Sequence, residues 1–506
     1  MDNIDLSRLQ FAVTALYHFL FVPLTLGLSV LLGIMESVYV MTGREIWRRM
    51  TKFWGVLFGV NVAMGVATGI TMEFQFGTNW AYFSHYTGDI FGAPLALEGI
   101  IAFFLESSFV GLFFFGWNKL SKLQHLMATW LMALGGSFSA LWILIANAWM
   151  QNPVGARFNV ESMRMEVADF GAIILNPVAQ AKFVHTLSAG YVTGAGFVMA
   201  ISALYLLQGR HIAMAKRSLA VSASFGLASA LSVVVLGDES GYLLTDHQRM
   251  KIAAVESMWE TEEAPAPFTL IGIPDVQGRK TDYAIEIPWV LGLIATRSIS
   301  EPVLGINDLV THAKDRIRNG LQAYQAIALW RKGDKGQLSI IEEHAGDLGY
   351  GLLLKSVRQD IENATDADID KAAELTVPDV PVLFWSFRIM VALGLWFILL
   401  YGFAFYLAAR NHQAQHRPFL WAALLSLPLP WVATELGWVI AEYGRQPWAI
   451  EGLLPTRLAA SSLTAEQVWF SLSGFVLFYT LLLIADIYLV VKIVKMGPQG
   501  EVQNAA

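Results

Sequence analysis

The sequence predicts an all-α fold: a polytopic transmembrane helix bundle of about nine spanning helices, with one large hydrophilic loop between helices six and seven. Three observations lead there. Hydrophobic residues make up 55% of the 506 residues and charged residues only 15%, against about 25% charged in a soluble domain. Nine stretches are apolar over the roughly 20 residues that a bilayer core requires. The remaining charges lie between those stretches, above all in residues 238–381.

In chain order the expected spans are Phe11–Val40, Phe53–Met72, Pro94–Trp117, Leu126–Ala148, Phe183–Leu207, Leu219–Leu236, Val382–Ala408, Phe419–Tyr443 and Val468–Val491. The first is long enough to tilt or to run into the interface. The sixth is short and Ser-rich. The short connections carry the orientation signal. Arg44, Arg48, Arg49 and Lys52 follow span one; Lys119 and Lys122 follow span three; Arg210, Lys216 and Arg217 follow span five. Arg410 and Arg417 follow span seven, and Lys492 and Lys495 follow span nine. Residues 73–93, after span two, hold no Lys or Arg. The bias places the N-terminus outside and the C-terminus in the cytoplasm. The chain then divides into residues 1–237 with six spans, an external loop over 238–381, and residues 382–506 with three spans.

A connection as long as 238–381 is usually functional or disordered. Helical periodicity over Leu309–Trp330, and the apolar runs Pro267–Ile271 and Ile287–Leu291, which look buried, argue for partial order. The N-terminal segment MDNIDLSRLQ has no basic region and does not read as a cleaved signal peptide. A net charge of −7 argues against a nucleic-acid partner. The chain has no cysteine, which excludes disulfides, thiolate metal sites, Cys-held iron–sulfur clusters and covalently attached haem. Any metal must be held by His, Met, Asp or Glu.

Ionisable groups inside a span need a reason. Of ten histidines only His18 and His185 fall inside the expected spans. One such histidine is as readily an interhelical hydrogen bond or a proton relay as a ligand. Two of them, with other ligand-like groups nearby, shift the balance. Glu98 and Glu106 lie in span three, about 80° and about 12 Å apart on an ideal helix. Near the bilayer middle Glu106 reads as a proton relay. Glu435, Trp438 and Glu442 form one stripe of span eight, where Glu435 reads as a helix-packing hydrogen bond. Span seven carries Arg388, which could snorkel, and Met390, which alone would be packing. Paired in depth with a histidine, Met390 becomes the second ligand of a six-coordinate haem. His18, His185, Met390, Glu98 and Glu442 all fall in the outer half of the bilayer at about 1.5 Å per residue, beneath the long loop. That arrangement suggests oxidation at the loop and metal centres just below it. In the loop, Lys251 and Glu256 read on their own as an exposed pair with no role.

Several segments resemble a known family: FWGVLFGVNVAMGVATGITMEFQFGTNW, GDIFGAPLALEGIIAFFLES, ALWILIANAWMQNP, NPVAQAKFVHT, GDESGY, DLGYGLLL, FWSFRIM and EYGRQPWAI. Together they resemble subunit I of the cytochrome bd-type quinol oxidases over nearly the whole chain, in its long-loop branch. The resemblance implies a respiratory quinol:oxygen oxidoreductase of the bacterial inner membrane, with a periplasmic N-terminus and loop. It implies a low-spin haem b held by His185 and Met390, with Arg388 at a propionate. It implies a high-spin haem b and a haem d held by His18 and Glu442, in an order left open, with Trp438 and Arg445 packed at the haems. Glu98 and Glu106 would serve haem binding and proton delivery, and Lys251 and Glu256 quinol oxidation. Glu106, Ser107 and Ser139 are candidates for a proton path from the cytoplasm. The implied partners are ubiquinol or menaquinol, dioxygen, a second large membrane subunit and small single-helix subunits. Three alternatives remain: a proton-coupled transporter, a member of the family that binds only b-type haem, and a purely structural membrane subunit.

Overall fold

The computed structural model describes residues 1–498. Among them nine helical stretches are long and apolar enough to cross a membrane: Asn3–Thr42, Glu45–Thr78, Asp89–Phe115, Lys122–Gln151, Phe170–Gln208, Ile212–His247, Val380–Ala409, Arg417–Arg445 and Ala465–Met496. The number is the one expected, but most of the stretches are longer than their apolar windows. Hydropathy ends a window at the first charges, whereas a helix ends only where its backbone bonding stops. Span six shows this most clearly. Its window closes before Asp238, yet the helix runs on to His247, and Arg297 pairs with both Asp238 and Glu239. By helix bounds the connection between spans six and seven covers residues 248–379, with the polar end of the span-six helix packed against it.

Span five is the centre of the bundle, with 78% of its most apolar window buried, against 6% for spans three and nine. Its burial rests on small residues. A Cβ added at Gly27 in span one would meet the Gly190 carbonyl oxygen at 2.4 Å and Gly194 Cα at 2.7 Å. Glycine alone lets these two backbones approach so closely, as in other small-residue membrane interfaces.

Spans one, eight and three are irregular away from their ends. Span one is two helices, Asn3–Phe19 and Val22–Thr42, broken just before Pro23, which has no N–H to donate. Side chains cover the carbonyls at the break: Trp431 Nε1 donates to Leu20 O at 2.7 Å and Asn61 Nδ2 to Phe21 O at 2.8 Å. Span eight breaks between Leu425 and Leu429. Span three is α-helical over Asp89–Leu97 and Phe104–Phe115 but π-helical over Glu98–Phe103. The ideal 100° spacing therefore does not apply between Glu98 and Glu106.

The loop has its own core. Trp259, Leu291, Ile306, Val310, Ile317, Leu354 and Ile369 are buried together with Leu383 of span seven and Ile440 of span eight. The expected helix is present as Ile306–Arg331. The first apolar run becomes one strand of the hairpin Phe268–Asp275/Lys280–Ile287. It is not buried as expected: Leu270, Ile271, Ile273, Tyr283 and Ile285 are exposed. In the second run Leu291 is buried and Trp289 exposed.

Candidate functional site

The stretch Glu435–Glu442 of span eight is the axis on which the candidate residues gather. Trp438 packs edge-to-face on Phe19, ring centres 5.1 Å apart, next to His18. On its other side Lys182 Nζ stands 5.2 Å from the Trp438 ring, one helical turn before His185. A Cβ at Gly437 would lie 3.5 Å from Met390 Sδ. Phe19, Lys182 and Met390 thus all meet span eight at Gly437–Trp438. His18 Nδ1 meets Thr68 Oγ1 at 2.9 Å, with its ring against Gly69 of span two. The His185 ring lies against Gly237 of span six, and its Nδ1 is buried without a partner.

Glu442 ends that stretch in a ring of donors. Its Oε1 accepts from Asn147 Nδ2 and Gln151 Nε2, each at 3.0 Å, with Lys182 Nζ at 3.5 Å. Its Oε2 accepts from Arg445 Nη2 at 2.5 Å. Lys182 also donates to Asn147 Oδ1. Hydrogen bonds to a charged group are shorter and stronger than neutral ones.

The loop helix Arg249–Glu256 brings two further groups down onto the spans. Lys251 and Glu256 are not the exposed pair their sequence suggests; they are 3% and 6% exposed. Five residues apart on a helix, they point about 140° away from each other and serve different neighbours. Lys251 Nζ donates to Gln151 Oε1 and Gln248 Oε1 at 2.8 Å and to Ala441 O at 2.9 Å. Burial lowers its pKa to about 7. Glu256 Oε2 accepts from Arg388 Nη2 at 2.9 Å. Burial pushes this carboxyl up to about 7, against the opposing pull of Arg388. Burial also raises Glu451, which accepts from Gln248 at 2.9 Å on the far side of Lys251.

Arg388 does not snorkel. Its remaining N–H groups go to Val255 O at 2.8 Å, Phe384 O at 3.2 Å and Thr269 O. All five of its donors have partners within the chain, so none is free for the propionate that the resemblance implies. Arg445 is the better candidate for that contact, because its Nε is buried and unpartnered. The helix-packing hydrogen bond expected of Glu435 is likewise not made; both of its carboxylate oxygens are buried and unpartnered.

The proton-path trio divides. Ser139 Oγ donates to Glu98 at 2.6 Å. Glu106 instead packs on the Gly135–Gly136 backbone of span four, where a Cβ at Gly135 would meet Glu106 N at 2.8 Å. Ser107 points outward from the chain.

Sequence reasoning missed Lys182, Asn147 and Gln151, all within the quoted motifs, because Lys182 fell just outside an apolar window and amides carry no charge signal. It also missed His125. Span four begins at Lys122, so this histidine lies inside the bundle, where its Nδ1 meets Glu36 Oε1 at 2.5 Å and its Nε2 donates to Phe113 O at 2.9 Å.

The unpartnered polar atoms of His185, Arg445 and Glu435, with the Met390 sulfur against Gly437, fit a bulky planar group with a metal and acidic substituents. Among the described residues no cluster of three His, Cys, Asp or Glu side chains forms a bare metal site.

The model of the family described as cytochrome bd terminal oxidase subunit I matches residues 6–498. The chain is 52% identical over 501 residues to cytochrome bd-II ubiquinol oxidase subunit 1 of Escherichia coli (strain K12), covering 99% of this chain and 98% of that one. It is 35% identical to cytochrome bd ubiquinol oxidase subunit 1 of Bacillus subtilis (strain 168), covering 99% and 95%. In fold it is similar to the bd oxidase from Geobacillus thermodenitrificans, with a TM-score of 0.78 at 24% identity, covering 98% of this chain and 99% of that one.

Proposed function

The chain belongs to the cytochrome bd terminal oxidase subunit I family, and from that premise we propose that it oxidises quinol at the outer face of the bacterial inner membrane and carries the site of dioxygen reduction to water. The observation that carries this reading is the buried Glu256–Arg388 pair at 2.9 Å. It docks the loop's acidic residue onto span seven two residues before Met390, so a donor bound at the loop stands next to the candidate electron entry.

His185 and Met390 would hold a low-spin haem b, and His18 and Glu442 the high-spin haem b and the haem d. Bound there, haem supplies one-electron transfer and, where a coordination face is open, dioxygen reduction. The protein's own share is proton handling and positioning. With a pKa near the working pH, Glu256 takes a proton from quinol and releases it outside. The Glu98–Ser139 pair and Glu106, at the level of span four's Gly135–Gly136, hold protons bound for the reduction site. If those protons come from the cytoplasm, the membrane is charged without a pump. Spans three and nine bury only 6% of their apolar windows within this chain. This supports a second large membrane subunit, and small single-helix subunits, against those faces.

A reduced-minus-oxidised spectrum of the purified complex is the test. Low-spin b-type bands and a red-shifted chlorin band are expected, with the low-spin bands lost in His185→Ala. A colourless protein would return the transporter reading, and a spectrum without the chlorin band the reading with b-type haem alone.

A further inference from the structure

Thr68 of span two is buried, and its hydroxyl has three neighbours. Met64 O and Gly65 O each stand at 3.0 Å, and His18 Nδ1 of span one at 2.9 Å. The chemistry of these neighbours dictates where the hydrogens are. A hydroxyl carries one hydrogen, and a carbonyl can only accept. If that hydrogen turned to the ring, both carbonyl oxygens would face a lone pair across 3.0 Å. It therefore goes back to its own helix, and the hydroxyl oxygen accepts from the imidazole. The ring is thereby held as the tautomer with its hydrogen on Nδ1, which leaves the lone pair on Nε2.

The backbone around Thr68 is shaped for this contact. Gly69 gives the ring its room, since a Cβ there would stand 3.0 Å from His18 Cε1 and 3.5 Å from Nε2. Span nine holds the same turn: Tyr479, also buried, donates to Thr68 O at 2.7 Å and meets Thr71 Oγ1 at 2.9 Å. His185 has no such acceptor, and its Nδ1 is buried without a partner.

We propose that Thr68 is a positioning residue for the high-spin haem at His18, its hydroxyl holding the imidazole hydrogen on Nδ1 and so leaving Nε2 to bind iron. The proposal rests on the reading that His18 is a haem ligand. A bond to the second nitrogen fixes the orientation of a metal-binding ring and raises its basicity. The acceptor here is neutral, so the ring binds as imidazole and not as the imidazolate that a carboxylate would favour.

The test uses the purified complex with Thr68→Val, which keeps the side-chain shape without the hydroxyl, and Thr68→Ser, which keeps the hydroxyl. Without its acceptor the ring is a weaker donor to iron. In Thr68→Val the iron–histidine stretch in resonance Raman spectra should move to lower frequency, and the midpoint potential of one high-spin haem should rise. That haem should also be bound about 10–100-fold more weakly, read as its loss to excess apomyoglobin. The low-spin bands should stay as in the wild type, and Thr68→Ser should restore the wild-type values. The proposal is overturned if Thr68→Val leaves the stretch and the potential unchanged. It is equally overturned if Thr68→Ser departs from the wild type as far as Thr68→Val, because the hydroxyl would then be irrelevant. His18→Ala separates the two levels. If it retains every haem, the ligand reading fails; if it loses one while Thr68→Val matches the wild type, only the role of Thr68 fails. Should Thr68→Val not assemble, Thr68→Ala set against Thr68→Ser makes the same comparison.

Discussion

At the scale of single residues the site is governed by the cost of burying charge. Glu256 faces one charged group, Arg388, and burial still outweighs that attraction, bringing its pKa to about 7. Because the pKa is raised, the folded state favours the protonated acid, and the fraction able to accept a proton grows as pH rises through about 7. Quinol oxidation should therefore increase across that range. In Glu256→Gln the step should be lost and turnover should fall about 100-fold; steady-state rates from pH 5.5 to 8.5 measure both. Arg388 closes the other side of the pair. Arg388→Met would leave a buried carboxylate and the Thr269 and Val255 carbonyls without their donor. Removing one partner of a buried pair costs about 3–5 kcal/mol, so thermal unfolding should occur at a clearly lower temperature. That cost should shrink at low pH, where Glu256 becomes neutral.

At the scale of elements, irregular backbone marks the places where side chains are aimed. The break after His18, the π-helical turn that starts at Glu98 and the short 3-10 segment Tyr443–Arg445 that follows Glu442 all adjoin candidate residues. Irregular backbone at membrane depth survives only where protein satisfies it, as Trp431 and Asn61 do for span one. The regular elements carry the stability. The contact of Gly27 with Gly190 and Gly194 leaves no room for a side chain, so Gly194→Val should force spans one and five apart. Overpacking of this kind costs about 1–3 kcal/mol. A lower unfolding temperature is expected, with unchanged haem spectra in the fraction that folds.

At the scale of the whole molecule, the exposed apolar faces leave room for the proposed second subunit. Span five is enclosed by its own chain, but spans three and nine are not. Span nine also places Asp486 about two-thirds of the way along its length with a buried, unpartnered Oδ1. An acidic group at that depth calls for a partner. The chain expressed by itself should aggregate on detergent extraction, and it should run as a defined complex when the proposed second subunit is co-expressed. Size-exclusion profiles of the two preparations provide the check.

The membrane class, the nine spans and the family could be read from residues in order, because lipid demands long apolar runs and the motifs are dense. Depth along a helix is a simple function of residue number, so the sequence could also suggest which of His18, His185, Met390 and Glu442 lie near the outer surface. Azimuth and neighbours are not. The separation of Lys251 from Glu256, the saturation of Arg388 within its own chain, the preference of Ser139 for Glu98 and the two amides beneath Glu442 depend on how helices rotate and where they break. Those features were decided by close packing, which sequence spacing does not record, and by the requirement that every buried donor find an acceptor.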